Sequence, residues 1–315
     1  MLNPRDLPYD TIRRMFQLMS LIPRPMMARL AAIIGKVWYA LDRYHRDIAM
    51  SNVAIAFGRE MTHRQRRQVV QRNFNQLARV ALELPGLMRV TPSNIDSFAE
   101  ISGEDNVRNT LAMGRGLVFL SAHFGNWELM NIATAVRFGP VHILARPLDY
   151  HPMDRVLGEI RANTGSVVID KDGSAEIMRR LLREGRMLGI LLDQNSSWYE
   201  GVFVNFFGRP ACTNKGLAMF ALRYDTPIVP AYNLRMPDGR YRVVFDPPLN
   251  LIRTGDVRKD ILKNTALFNQ TIEGFIRKAP DHWFWVHRRW RIIPVPERVR
   301  HKMLVDEDCS VDFNQ

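Results

Sequence analysis

Between residues 116 and 245 the chain alternates short, continuously apolar runs with segments of helical spacing, and this alternation restricts the fold more than any other feature. The runs fall at 117–122, 141–145, 167–169, 187–192 and 228–232. Short apolar runs bounded by turn residues suit strands buried on both faces. Helices are expected between them at 125–137, 152–163, 174–184 and near 214–224. The third begins near Ser174, has Glu176 in its first turn and ends at Gly185. Asp238-Gly239 marks a hairpin turn leading into a strand at 241–245, so the sheet is mixed. The pattern predicts an α/β fold, a mixed central β-sheet covered by helices.

A helix is expected over 62–84. Thr62 and Gln65 form a capping-box pattern, Val70, Phe74, Leu77 and Ala81 share one face, and Pro85-Gly86 is expected to stop it. Residues 92–113 are polar and should hold short turns and a helix. A closing helix at 260–278 places Phe268, Ile272, Phe275 and Ile276 on one side. The expected division is an N-terminal helical region at 1–50, an α/β unit at 51–296 and a loose, charged tail at 297–315.

The first 50 residues carry a second signal. Between Arg5 and Arg46 there are eight basic residues and three acids, interleaved with apolar side chains such as Leu21, Met26, Leu30, Ile33, Val37 and Leu41. Pro23, Arg24, Pro25, Arg29 and Lys36 break any run approaching the ~20 apolar residues that span a bilayer. No cleavable signal peptide is expected. The segment reads as helices lying in a membrane interface, with a hairpin packed on the protein's own core as the alternative. Across the chain 44 Lys and Arg oppose 32 Asp and Glu, a net charge of +12. That excess points to an anionic partner: nucleic acid, a membrane surface, a phosphorylated substrate or an acidic carrier protein. With 46% hydrophobic and 24% charged residues, wholesale disorder and a polytopic membrane protein are excluded. Cys212 and Cys309 form no metal or redox motif, which excludes a disulfide framework and fits a reducing compartment.

The segment from Gly116 to Glu128 carries the chemistry. A buried strand ends, His123 follows at its carboxyl edge, Gly125 permits a tight turn, and a helix begins. Ligands of open α/β sheets bind at that edge. Glu128 lies five residues on, where the turn brings its carboxylate within reach of the imidazole. A histidine held by a carboxylate is a competent general base; the alternative is a buried histidine merely satisfied by a nearby acid. Ser121 points to the same side as His123 but lacks the Gly-x-Ser-x-Gly elbow. Without a covalent nucleophile, the economical chemistry is attack of a substrate hydroxyl on an activated acyl group. No helical His-x-x-x-His or paired-cysteine spacing suggests a metal. The stretch from Trp283 to Arg291 alternates aromatic and basic residues. It suits stacking on nucleic acid, arginines turned to an anionic partner, or a packed aromatic strand end with snorkelling cations.

The His-x4-Glu pattern after an apolar strand resembles the signature of glycerolipid and lipid A acyltransferases. More of the chain is similar to the lipid A biosynthesis late (lauroyl/myristoyl) acyltransferases. The matching pieces are Ser121-Ala-His-Phe-Gly-Asn-Trp-Glu128, Ala145-Arg-Pro-Leu-Asp149, Asp193-Gln194, Gly201-Val-Phe-Val-Asn-Phe-Phe-Gly208 and Pro280-Asp-His-Trp-Phe-Trp-Val-His-Arg-Arg-Trp290. They stand in the family's order across roughly residues 20–293. The resemblance implies His123 and Glu128 as a charge-relay pair, with Asn126, Arg146, Arg161, Asp193 and Gln194 as substrate-binding residues. It implies no cofactor beyond an acyl thioester co-substrate, on acyl carrier protein or coenzyme A. The implied acceptor is a hydroxyl of a lipid A precursor, and the implied location is the cytoplasmic face of the bacterial inner membrane, held peripherally or monotopically on an anionic surface. Another membrane lipid as acceptor, or water in a thioesterase, are the alternatives; no nucleic-acid partner is expected.

Overall fold

The computed structural model describes residues 8–170, 173–292 and 294. Four helices lead: α1 (Tyr9–Met19), α2 (Arg24–Leu41), α3 (Arg43–Phe57) and α4 (His63–Leu87). The capping box at Thr62 forms: Gln65 N–H donates to Thr62 Oγ1 at 3.3 Å, and Thr62 N–H donates to Gln65 Oε1 at 2.8 Å. Pro85 does not stop α4, which runs on to Leu87. The proline removes one hydrogen bond in the last turn, and its ring is buried there, which offsets the loss.

The α/β part follows as β1 (Ala99–Ser102), α5 (Glu104–Leu111), β2 (Leu117–Ser121), α6 (Trp127–Phe138), β3 (Val141–Ala145), α7 (His151–Ala162), β4 (Val167–Asp170) and α8 (Ser174–Arg183). Then come β5 (Met187–Leu191), β6 (Gly201–Phe206), β7 (Arg209–Asn214), α9 (Gly216–Tyr224), β8 (Ile228–Arg235), β9 (Tyr241–Phe245) and α10 (Val257–Lys278). Seven strands form one sheet in the order β1-β9-β8-β2-β5-β3-β4. Every neighbouring pair is parallel except the β8–β9 hairpin, so the sheet is mixed as expected. The β6–β7 hairpin stands apart as a two-stranded sheet against α10.

Strand β2 runs through the middle, and all five of its residues are buried. Its side chains alternate between two cores. Val118 and Leu120 join the core of α3, α4, α9 and α10, while Leu117 and Phe119 join the core of α1, α6 and α7. Each such side chain contributes about 1.5–3 kcal/mol on burial, which fixes which way β2 faces and hence where its end points.

The N-terminal helices pack on the rest of the protein and also leave apolar side chains exposed. Helix α1 inserts Ile12 and Phe16 into the second core. Helix α2 lays Met27, Ala31 and Gly35 on α4. Gly35 lies so near Asn75 that a Cβ would fall 2.3 Å from its Oδ1, so a side chain there would push the helices apart. The opposite face leaves Met26, Leu30, Ile33, Val37 and Leu41 exposed, as is Leu21 in the turn before the helix. Among the described residues no single helix is long and apolar enough to cross a membrane; α1 and α2 have that composition together but are bent by 116°. The tail at 297–315 lies outside the described residues.

Candidate active site

The register of β2 on β5 builds the site. Ser121 pairs with Leu191, so the two carboxyl ends finish side by side. Two residues beyond each pair member stand His123 and Asp193. His123 Nδ1 lies 2.9 Å from Asp193 Oδ1, and the His123 backbone N–H donates to Asp193 Oδ2 at 3.1 Å. Trp283 Nε1–H donates to the same Oδ2 at 2.7 Å. Asp193 is only 2% exposed, whereas the His123 side chain is 22% exposed. Among the described residues Nε2 of His123 has no hydrogen-bond partner. The imidazole is therefore gripped at Nδ1 and open at Nε2.

The charges support that arrangement. Burial pulls the imidazole pKa down, but the charge and hydrogen bond of Asp193, with the charge of Glu128 behind them, outweigh it and leave His123 above 6.5. For Asp193 burial pushes upward. The His123 charge and the bonds from His123 and Trp283 prevail, so the carboxyl sits below 3.8. An ionised Asp193 accepts from Nδ1–H, so the neutral imidazole presents the lone pair of Nε2 outward.

Glu128 occupies a different place from the one expected. Its carboxylate takes Arg161 Nε–H at 2.8 Å and a second bond from Arg161 Nη2, and makes no hydrogen bond to His123. As the second residue of α6 it projects across to α7, where Arg161 meets it with both side chains largely buried. For Arg161 burial pulls the pKa down, but the hydrogen bonds and charge of Glu128 outweigh it and hold the guanidinium above its ordinary value. Orientation of the imidazole thus falls to Asp193, and Glu128 acts on it through charge.

Asn126 also departs from its expected role at the substrate. It is wholly buried, and its Oδ1 caps α6 by accepting from Leu129 N–H at 3.0 Å. Arg146 and Gln194 stand exposed at the ends of β3 and β5; among the described residues Arg146 meets only the exposed Asp149, at 3.3 Å. Ser121 is buried, and its Oγ faces Met130 Sδ at 3.9 Å.

The turn between β2 and α6 is tied to the C-terminal segment. Phe284 N–H donates to His123 O, and Gly125 N–H donates to His282 O, each at 3.0 Å. Gly125 has φ +65°, and a Cβ there would lie 2.2 Å from Asn233 Oδ1, so the close turn requires glycine. Trp127 and Phe284 flank the imidazole with ring centroids at 5.3 and 5.9 Å.

The aromatic and basic stretch resolves into core. Trp283, Trp285 and Trp290 are buried, and so is Arg289, which was expected to face outward. Arg289 donates to Gln194 O at 3.2 Å, to Cys212 O at 2.6 Å and to Thr213 Oγ1, so both terminal nitrogens are held by β7 and the segment after Asp193, while its buried Nε has no partner among the described residues. Burial pulls its pKa down to about 10. Arg288 alone of the two is exposed, its guanidinium 5.0 Å from the Tyr44 ring. Trp283 as a donor to Asp193, and His287, whose Nε2 accepts from Asn195 N–H at 3.0 Å, were not foreseen. Only the density of tryptophan and histidine in that stretch hinted at them.

Residues 13–292 match the sequence profile of the family described as bacterial lipid A biosynthesis acyltransferase. The chain is 28% identical to the lipid A biosynthesis lauroyltransferase of Escherichia coli, over 88% of this chain and 90% of that protein. It is 23% identical to the palmitoleoyltransferase of the same organism, over 88% of each. It is also 25% identical to a phosphatidylinositol mannoside acyltransferase of Mycolicibacterium smegmatis, over 59% of this chain and 60% of that one. These relatives support an O-acyltransferase, and the chain belongs to the bacterial lipid A biosynthesis acyltransferase family.

Proposed function

We propose that this protein transfers a fatty acyl chain from an acyl thioester, carried on acyl carrier protein, to a hydroxyl of a phosphorylated lipid A precursor. The observation that carries the reading is the histidine held at Nδ1 by a buried carboxylate 2.9 Å away, with Nε2 unpartnered and the ring reaching the surface. Nε2 takes the proton of the acceptor hydroxyl as its oxygen attacks the thioester carbonyl. The tetrahedral intermediate expels the thiolate, which takes the proton back from Nε2. Asp193 stabilises the imidazolium between these steps, and Glu128 adds negative charge nearby while Arg161 holds it in place. Arg146 and Gln194 are exposed polar groups at the strand ends, suited to the acceptor's phosphate and sugar hydroxyls.

The surface supports a membrane location. The exposed apolar stripe of α2 is flanked by the exposed Arg29, Lys36 and Arg43, a pattern that suits an anionic bilayer interface at the cytoplasmic face of the inner membrane. A basic chain of net charge +12 also complements an acidic carrier protein.

The test is transfer from an acyl carrier protein thioester to a lipid A precursor by the purified protein and by His123→Ala. Loss of about 10²–10⁴-fold in kcat is expected. Near-normal transfer by the variant rejects His123 as the base. Transfer only from coenzyme A rejects the carrier as donor, and free fatty acid without acylated lipid makes the protein a thioesterase. The mycobacterial relatives favour one second reading, another membrane glycolipid as acceptor; a panel of acceptors in the same assay separates the two.

A further inference from the structure

Behind the catalytic turn, on the side away from Asp193, lies a charged cluster that no part of the motif contains. Glu83, four residues before the end of α4, has a side chain only 22% exposed. Its Oε2 accepts from Asn126 Nδ2 at 3.1 Å, Tyr241 OH at 2.8 Å and Arg235 Nη2 at 3.1 Å. Its Oε1 accepts from Arg79 Nε at 3.3 Å and from Arg235 Nη1. Arg235, 9% exposed, also donates from Nε to Gln76 Oε1 at 3.0 Å. Two residues earlier on β8, Asn233 clamps the same peptide reciprocally. Its Oδ1 accepts from Asn126 N–H at 2.9 Å, and its Nδ2 donates to Asn126 O at 3.0 Å.

We propose that Glu83, held by Arg235, is a positioning residue for the transfer reaction: it fixes Asn126 and through it the turn that presents His123. This rests on the reading of His123 as the base. The argument is one of valences. Asn126 is itself wholly buried and has two side-chain functions to satisfy. Its oxygen is used by the helix cap, and its amide has Glu83 as its partner. Asn126 is three residues from His123, and the intervening Gly125 imposes little conformational preference of its own. Fixing the carboxyl end of the turn therefore determines where the imidazole stands relative to Asp193. A simpler tether would serve if only the fold mattered; an isolated buried ion pair is seldom worth more to stability than a well-packed apolar pair. Here the carboxylate gathers five donors from α4, α6, β8 and β9, and the one with a direct path to the imidazole is Asn126.

The experiment compares Glu83→Leu, Glu83→Leu/Arg235→Met, Glu83→Asp and His123→Ala in the full-length protein, with a lauroyl thioester of acyl carrier protein and a lipid A precursor. Glu83→Leu leaves Arg235 buried without its partner and should lower Tm. The double variant removes that cation and should recover most of the Tm. Its kcat is expected to remain about 10- to 100-fold below wild type, with KM for the acceptor within about threefold, because the imidazole is misplaced rather than the acceptor site lost. The midpoint of the pH limb in kcat should move down towards 6.5 as the contact with Asp193 loosens, and Glu83→Asp should restore part of both. A double variant with wild-type kcat and pH midpoint, or losses that simply track Tm, overturns the proposal. Should the double variant fail to fold, Glu83→Gln decides. Its amide must turn an NH2 towards donors on one side, so the same pH displacement is expected, and an unmoved midpoint overturns the idea. If His123→Ala transfers normally, the base assignment falls and the positioning role with it. If only His123→Ala is impaired, the base stands and the role of Glu83 alone falls.

Discussion

Replacing Asp193 by asparagine should damage transfer more than removing its side chain. Two N–H donors, from the His123 backbone and Trp283, converge on Oδ2, while Oδ1 faces the imidazole. In Asp193→Asn the single carbonyl oxygen is drawn to the place with two donors, since leaving them facing an NH2 in a buried site costs about 1–3 kcal/mol each. The NH2 then faces Nδ1, which must accept, and the proton moves to Nε2. The outward nitrogen becomes a donor and no longer serves as a base. A wrong tautomer of this kind costs on the order of 10⁴-fold in turnover. Asp193→Ala removes the carboxylate but leaves the tautomer free. The loss is then the electrostatic support of the imidazolium. A pair of unit charges about 4 Å apart at an effective dielectric of about 20 is worth about 4 kcal/mol. A water in the vacated space recovers part of it, so roughly 2–3 kcal/mol, or about 30- to 150-fold, remains. The assay is kcat for both variants across pH, with circular dichroism to confirm the fold. Because Asp193 raises the His123 pKa and the neutral ring is the active form, wild-type kcat should rise with pH through a midpoint above 6.5, and in Asp193→Ala that midpoint should fall. Equal activity of the Asn and Ala variants, or a limb that stays in place without the carboxylate, would refute the orientation argument.

The Glu128–Arg161 pair is largely buried, so Glu128→Gln alone should destabilise by about 3–5 kcal/mol; a double-mutant cycle with Arg161→Gln in urea should show strong coupling, and additive single losses would contradict the pairing. On the surface of α2, Leu30, Ile33 and Val37 are 40%, 61% and 50% exposed. Changing all three to glutamate should withdraw about 3 kcal/mol of membrane partitioning, about 100-fold in sedimentation with phosphatidylglycerol vesicles, while kcat on detergent-dispersed substrate is unchanged. Asp193 and His123 are linked in stability as well. A His pKa raised on folding stabilises fully below its unfolded value of about 6.5, and this support disappears as pH rises through the folded value. The stability difference between wild type and His123→Gln, followed by urea titration, should therefore shrink from pH 6 to higher pH; a difference that grows would show the sign to be wrong.

Strands β2 and β5 are legible in the chain because strands flanked by parallel neighbours and covered on both faces are almost wholly apolar, as LVFLS and MLGIL are; β3 is legible from its apolar residues despite His142, although only Val141 in it is fully buried. The β6–β7 hairpin is not. Its residues alternate weakly, and its two-residue turn is made by Phe207 and Gly208, both at positive φ, a place where phenylalanine gives no turn signal. Strand β1 is four residues long and half-exposed, and its partner β9 lies some 140 residues on. At the site, His123 is legible because it follows an apolar run and precedes a glycine. Asn126 is expected at the substrate only because the family resemblance places it in the motif around the histidine. Its burial follows from the approach of α4 and β8, and neither helix nor strand announces in its own sequence that it will come so near.

The exchange of Glu128 for Asp193 as the partner of the imidazole has the same root, and it shows what the sheet contributes to chemistry. Chain proximity favoured Glu128, five residues away. Sheet order favoured Asp193, seventy residues away, because β5 is inserted beside β2 after the chain has already laid down β3 and β4. A parallel pair carries its register to the end of both strands, so residues placed equally far beyond paired positions emerge together; His123 and Asp193 each follow the Ser121–Leu191 pair by two. A helix residue such as Glu128 takes its direction from the helix, and α6 turns it towards α7. The hydrogen bond that orients the imidazole therefore depends on strand order, a property of the whole sheet. A single-residue change of register between β2 and β5 would turn one of the two side chains to the opposite face and separate them.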